Sequence, residues 1–80
     1  MILKPITSEK AVRLIDIENT LVFEAPRRAT KAQIKTQVEK AFNVSVKGIR
    51  TLNHANKKLA YVKLVKENPA IDLATKLGMM

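Results

Sequence analysis

The chain has no cysteine, a single histidine and two glycines in 80 residues. Without cysteine there is no disulfide and no thiolate metal ligand. His54 has no second histidine to join it, so an imidazole metal centre lacks ligands too. Gly48 and Gly78 lie far apart, which leaves no glycine loop to cradle a phosphate. Neither Ser8 nor Ser45 is framed by a nucleophile-elbow pattern. Asp16 and Glu18, two residues apart on an expected helix, do not face each other as an acid/base pair would. No catalytic residue, metal, cofactor or small-molecule substrate is expected. No apolar run approaches the roughly 18 residues of a membrane span, and residues 1–5 are too short for a signal peptide. The chain is expected to start as it stands and to remain in a reducing cytoplasm.

Acidic residues are also scarce. Fifteen Lys and Arg stand against seven Asp and Glu, while 46% of the residues are hydrophobic. The apolar content argues for a folded chain, and the length for one small domain over residues 1–80 with a modest core. The charge excess is local. Residues 27–63 hold ten basic residues and one acidic, Glu39; the rest of the chain holds five basic and six acidic. A solvated, solubilising surface is the bland account of such a stretch. Its density favours a polyanionic partner, nucleic acid or an anionic membrane. Direct membrane binding is set aside because Ile34, Val38 and Phe42, the apolar side of the basic helix, are needed for a core.

The periodicities give an order of elements. Residues 1–4 read as a short extended opening ended by Pro5. Residues 7–18 read as a helix with Thr7 or Ser8 as N-cap and Ala11, Leu14 and Ile15 at helical spacing. After Asn19-Thr20 comes a strand, LVFEA, with Leu21, Phe23 and Ala25 on one face and Val22 and Glu24 on the other. Thr30-Lys31-Ala32-Gln33 forms a capping box. Ile34, Val38, Ala41 and Phe42 then make one buried stripe, and Asn43 ends the helix. Residues 44–53 and 59–66 read as a hairpin around a turn at 54–57, with a bulge or close approach at Gly48 and positive φ at Asn56. Asn68 and Pro69 open a last helix as N-cap and first turn, carrying Ile71, Leu73, Ala74 and Leu77, and Gly78 stops it; Met79 and Met80 fray. The order β(α)βαββα makes the second and third strands parallel, and the hairpin strand inserts between them. The fold class is α+β: a small sandwich of a four-stranded antiparallel sheet with packed helices.

The basic residues group by element. Arg27, Arg28, Lys31 and Lys35 gather at the start of the middle helix, whose N-terminus attracts phosphate. Lys47, Arg50, Lys57, Lys58 and Lys63 lie on or beside the hairpin, interleaved with Thr51, Asn53, His54, Asn56 and Tyr61. Lys and Arg neutralise phosphates, Asn and Thr bond sugar and phosphate oxygens, and Tyr stacks on a splayed base. Tyr61 serves equally well as a half-buried ring shielding the sheet. Lys57 and Lys58 also suit plain hairpin solubility or protection of an edge strand against aggregation.

The motifs themselves, KPITSEKAV, the Asn19-Thr20 strand start, Ala29-Thr30-Lys31, Asn43-Val44, Thr51-Leu52-Asn53, KKLAYVKL and AIDLATKLG, closely resemble the large-subunit ribosomal protein twenty-three family. The match runs over residues 4–78. The resemblance implies a similar fold and a structural protein of the large ribosomal subunit. It would bind large-subunit rRNA at the rim of the polypeptide exit tunnel, beside neighbouring ribosomal proteins. It also implies a docking surface for nascent-chain factors such as signal recognition particle and the protein-conducting channel. Glu9, in the Ser8-Glu9-Lys10 motif, is carried over as a factor-docking position. Lys4 and Lys10 join the RNA-binding set on the same basis. The chain departs from bacterial members at the hairpin, where they carry a long basic loop; its short hairpin and tail are similar to the archaeal branch. The alternative is a free-standing regulatory RNA-binding protein, although neither a helix-turn-helix nor a pair of stacking aromatics is present. No homo-oligomer is expected.

Overall fold

The structure, a computed structural model, describes residues 3–78, the side chain of His54 excepted. Met1, Ile2, Met79 and Met80, with the start of the extended opening and the expected fraying of the C-terminus, lie outside the described residues. The elements run β1 (Lys4–Pro5), α1 (Glu9–Glu18), β2 (Thr20–Ala25), α2 (Lys31–Phe42), β3 (Val46–His54), β4 (Lys57–Leu64) and α3 (Ala70–Lys76). The sheet order is β1-β2-β4-β3 with every pairing antiparallel. The last strand inserts between the second and third, as the order of elements requires.

The alternation along β2 and β4 decides which face is covered. Leu21, Phe23 and Ala25 alternate with Val22 and Glu24, and Ala60, Val62 and Leu64 alternate with Tyr61 and Lys63. The first member of each set joins Ile15 of α1, Ile34 and Val38 of α2, and Leu73 and Ala74 of α3 in one core. All three helices therefore pack on one face and leave the other bare. Helix α2 lies over β3, whereas α1 and α3 adjoin each other over β2. Phe42 reaches back to stack on Phe23, with ring centroids 6.1 Å apart and planes 10° from parallel. The rest of the expected α2 stripe is shorter than the spacing suggested. Ala41 is exposed, because Phe42 fills the last core position at that end of the helix.

Local chemistry sets the element ends. Thr30 and Gln33 make both reciprocal bonds of the capping box, and Ser8 accepts from the backbone N–H of Ala11. Asn19 and Asn43 end α1 and α2 at positive φ, 52° and 54°, and Gly78 follows α3 at 73°. Pro5 is the last residue of β1, opposite Phe23; an edge strand tolerates the missing donor. The bulge falls at Lys47, which has no partner while Val46 and Gly48 pair with Leu64 and Lys63. The turn spans residues 54–57 as expected: His54 pairs with Lys57, with Ala55 and Asn56 as the two central residues. Both take positive φ, 47° and 68°, as the twist-matched turn of that length requires. Asn56 suits this geometry and Ala55 does not.

The start of α3 corrects the sequence reading most. Asn68 does not cap it, and Pro69 holds the cap position with no side chain to offer. The N–H of Ala70 donates instead to Asn19 Oδ1, and Asn68 Oδ1 accepts from Ser45 N at 2.9 Å. The same Asn19 amide lies 3.2, 3.1 and 3.2 Å from the carbonyl oxygens of Leu64, Val65 and Asn68. Its two N–H groups serve three acceptors, so one is shared. A single side chain thus joins the end of α1, the end of β4 and the start of α3.

Both turn geometries can be tested by substitution. Asn19→Gly keeps the left-handed backbone and removes the side-chain bonds; urea unfolding should show a loss of about 2–3 kcal/mol. Asn19→Ala should lose about 1 kcal/mol more, through the strained φ. Ala55→Asn should gain about 0.5–1 kcal/mol by relieving the same strain at the hairpin tip; no rise in the unfolding midpoint would contradict that account of the turn.

Candidate nucleic-acid interface

Register fixes what the bare face carries. Arg50 lies opposite Tyr61 and Leu52 opposite Leu59 on β3 and β4; Val22 lies opposite Tyr61, Glu24 opposite Leu59 and Thr20 opposite Lys63 on β2 and β4. Lys4 of β1 lies opposite Glu24. With Lys57 in phase with Tyr61 and Lys63, this face presents Lys4, Arg50, Lys57 and Lys63 against a single acidic residue. That residue, Glu24, is already engaged: its carboxylate lies 3.6 Å from Lys57 Nζ. At the centre the Arg50 guanidinium sits over the Tyr61 ring, 5.7 Å from its centroid.

Both ends of the face widen into shallow clefts. At the hairpin end Lys4, Arg27, Asn56 and Lys57 surround Glu24. At the other end Lys47, brought outward by the bulge, shares a cleft with Lys63 and Lys66, opposite Asp16 and Glu18. Sequence reasoning did not include Lys66; it lies two residues beyond the end of β4, where strand parity no longer tells direction.

The remaining residues expected in the site are distributed differently. Arg28, Lys31 and Lys35 are exposed on α2 and the loop before it, with Lys40 further along that helix. They belong to the helical layer and do not share the bare face. Thr51, Asn53 and Lys58 alternate onto the helix side of the hairpin, and Lys58 is a structural tie: its Nζ donates to Ala29 O at 2.7 Å. Lys57 and Lys58, adjacent in sequence, therefore do unlike work on opposite sides. His54 ends β3 opposite Lys57. Lys10 and Glu9 lie exposed on α1, where Glu9 approaches Arg13 at 3.9 Å.

Charge is sorted by half of the molecule. Glu9, Asp16 and Glu18 lie on α1, Glu67 just before α3, and Asp72 on it. The only acidic residue of the basic stretch, Glu39, turns its Oε2 to the backbone N–H of Val46, 3.0 Å away, and anchors the start of β3. The cations of the bare face, the β3 edge and α2 thus adjoin one another, because α2 lies over β3. The mixed and acidic residues gather where α1 and α3 lie over β2. Among the described residues there is no cluster of His, Asp and Glu able to hold a metal ion, and no helix long and apolar enough to cross a membrane.

A two-layer α+β sandwich with one uncovered, cation-bearing sheet face defines a small domain suited to a polyanionic partner. The family model for ribosomal protein L23 matches residues 1–71. Three proteins named large ribosomal subunit protein uL23 are similar to the chain. That of Pyrobaculum aerophilum is 44% identical over 81 residues, covering all of both chains. That of Caldivirga maquilingensis is 47% identical over 76 residues, covering 94% of this chain and 88% of its own. That of Tetrahymena thermophila is 44% identical over 78 residues, covering 95% of this chain, which spans about half (51%) of that longer protein. The chain belongs to the ribosomal protein L23 family, whose members are structural proteins of the ribosome and not enzymes.

The placement of the two hairpin lysines can be checked by stability alone. Lys58→Ala should lower unfolding free energy by about 1 kcal/mol, since it frees a half-buried carbonyl from a charged donor. Lys57→Ala, at an exposed ion pair, should change it by less than about 0.5 kcal/mol. Equal losses would refute the division of labour.

Proposed function

We propose that this chain is a constituent of the large ribosomal subunit in the cytoplasm. In this reading rRNA at the rim of the polypeptide exit tunnel lies across the bare sheet face, the β3 edge and the exposed side of α2. The observation that carries it is the sorting of charge. Lys4, Arg50, Lys57 and Lys63 share one face whose only carboxylate is paired, while five of the seven acidic residues lie with α1 and α3. A phosphate chain meets cations from three strands and a helix, with Asp16 and Glu18 entering only at the cleft beside Lys63. Family membership supplies the ribosomal setting, and archaeal relatives match over nearly their whole length.

The α1/α3 half is then the side turned to proteins. Neighbouring ribosomal proteins, and nascent-chain factors such as signal recognition particle and the protein-conducting channel, would meet its mixed charges. Glu9 is well placed for that role: it is exposed in the first turn of α1, and its contact with Arg13 is long and solvated. A free-standing regulatory RNA binder would present the same face, and co-sedimentation separates the two: a ribosomal constituent stays with large subunits at a salt concentration that removes a regulator.

Salt dependence tests which surface meets the RNA. Replacing Lys4, Lys57 and Lys63 together by Ala should flatten the plot of log affinity for large-subunit rRNA against log salt by about 2 units, roughly 0.7–0.9 for each phosphate no longer neutralised. Replacing Arg13 and Lys76 on the α1/α3 half should leave the slope unchanged. Equal flattening per cation removed in the two variants would overturn the assignment of the face.

A further inference from the structure

The centre of the bare face is not built like its ends. At the ends, cations stand around a carboxylate in open clefts. At the centre the Arg50 guanidinium makes no ion pair among the described residues and lies over the Tyr61 ring. Beside them Leu52 is 53% exposed, and Arg50, Leu52 and Tyr61 with Thr51 line one shallow depression. Val22, beside Tyr61 on the next strand of the same face, is only 4% exposed. An apolar side chain, an aromatic ring and a guanidinium side by side make a flat surface with one delocalised charge. Phosphate needs no such surface; the π-face of a nucleobase does.

We infer that Arg50, Tyr61 and Leu52 form a seat for one unpaired base of the bound RNA, stacked against the ring and guanidinium. The inference rests on the reading that this face meets RNA, and adds that the RNA there is bulged, looped or single-stranded. Bases inside a duplex have both faces occupied by their neighbours and cannot occupy the seat. The flanking cations fit this arrangement. Along β4, Lys63 lies about 7 Å from Tyr61 in one direction and Lys57 about 13 Å in the other, by the rise of a strand. Each can hold a phosphate on one side of the stacked nucleotide. Unpaired Arg50 suits the role better than a lysine would, since its plane stacks while its edge still donates.

The chain has one tyrosine and no tryptophan, so its intrinsic emission reports Tyr61 alone. The test titrates the full chain with a short oligoadenylate and, separately, with a perfectly paired RNA duplex of equal length. The oligoadenylate should quench the tyrosine emission and the duplex should not. Tyr61→Leu should weaken oligoadenylate binding by about tenfold to a hundredfold, with the salt slope unchanged, and leave duplex binding as it was. Tyr61→Phe, which keeps the ring, should bind like the parent, and circular dichroism checks that both variants fold. Oligoadenylate binding without quenching, or equal weakening of both RNAs by Tyr61→Leu, would overturn the seat while leaving the RNA-binding face intact. Failure of both RNAs to bind would overturn the seat and the RNA-binding face together.

Discussion

The fold turns on the amide of Asn19. Three elements that never touch in sequence end or begin within its reach: α1 stops there, β4 runs out beside it, and α3 starts from its oxygen. A carboxamide is the one side chain with both donors and an acceptor in a short planar group, and asparagine also accepts the left-handed backbone that closes α1. Aspartate would keep the acceptor and lose the donors; glycine would keep only the backbone. Because α3 offers no capping side chain of its own, its position over the core depends on this residue more than on its own seven-residue propensity. With α1 and α3 held on one side and α2 on the other, the sheet is covered on a single face.

That one-sided cover is what makes a binding surface possible. A sheet buried on both faces must be apolar on both; here the second face is free to carry Arg50, Tyr61 and Lys63 between buried neighbours. Two carboxylates among these cations are engaged in different ways. Glu39 turns its oxygen to the backbone of Val46, and Glu24 is met by Lys57. Sparse acid in the sequence and engaged acid in the structure act in the same direction.

Much of this was readable from residue order. The alternation in LVFEA and LAYVKL names the inner and outer sets, and T-x-x-Q names the start of α2, because strand parity and capping are local properties. What escaped is non-local. Asn68-Pro-Ala looks like a helix start on its own, and only the arrival of Asn19 from 51 residues before Ala70 changes the donor's partner. Lys57 and Lys58 look alike as a pair, yet the pleat sends them apart and the carbonyl of Ala29 claims one. Pooling basic residues by sequence also merged two layers: Lys31 and Lys35 ride on α2, and adjoin the sheet face only around the β3 edge. Ala55 gave no sign of its left-handed backbone, because nothing in an alanine prefers it; the two-residue register of the hairpin imposes it.

The brevity of that hairpin governs the thermodynamics of recognition. With only Ala55 and Asn56 between paired strands, the protein has no pliant arm at this end to wrap, thread or mould itself around a target. On the proposed reading, the hairpin end would meet RNA as a preformed surface. Little ordering entropy is then lost on the protein's side, and the heat-capacity change of association reflects buried contact area instead of coupled folding.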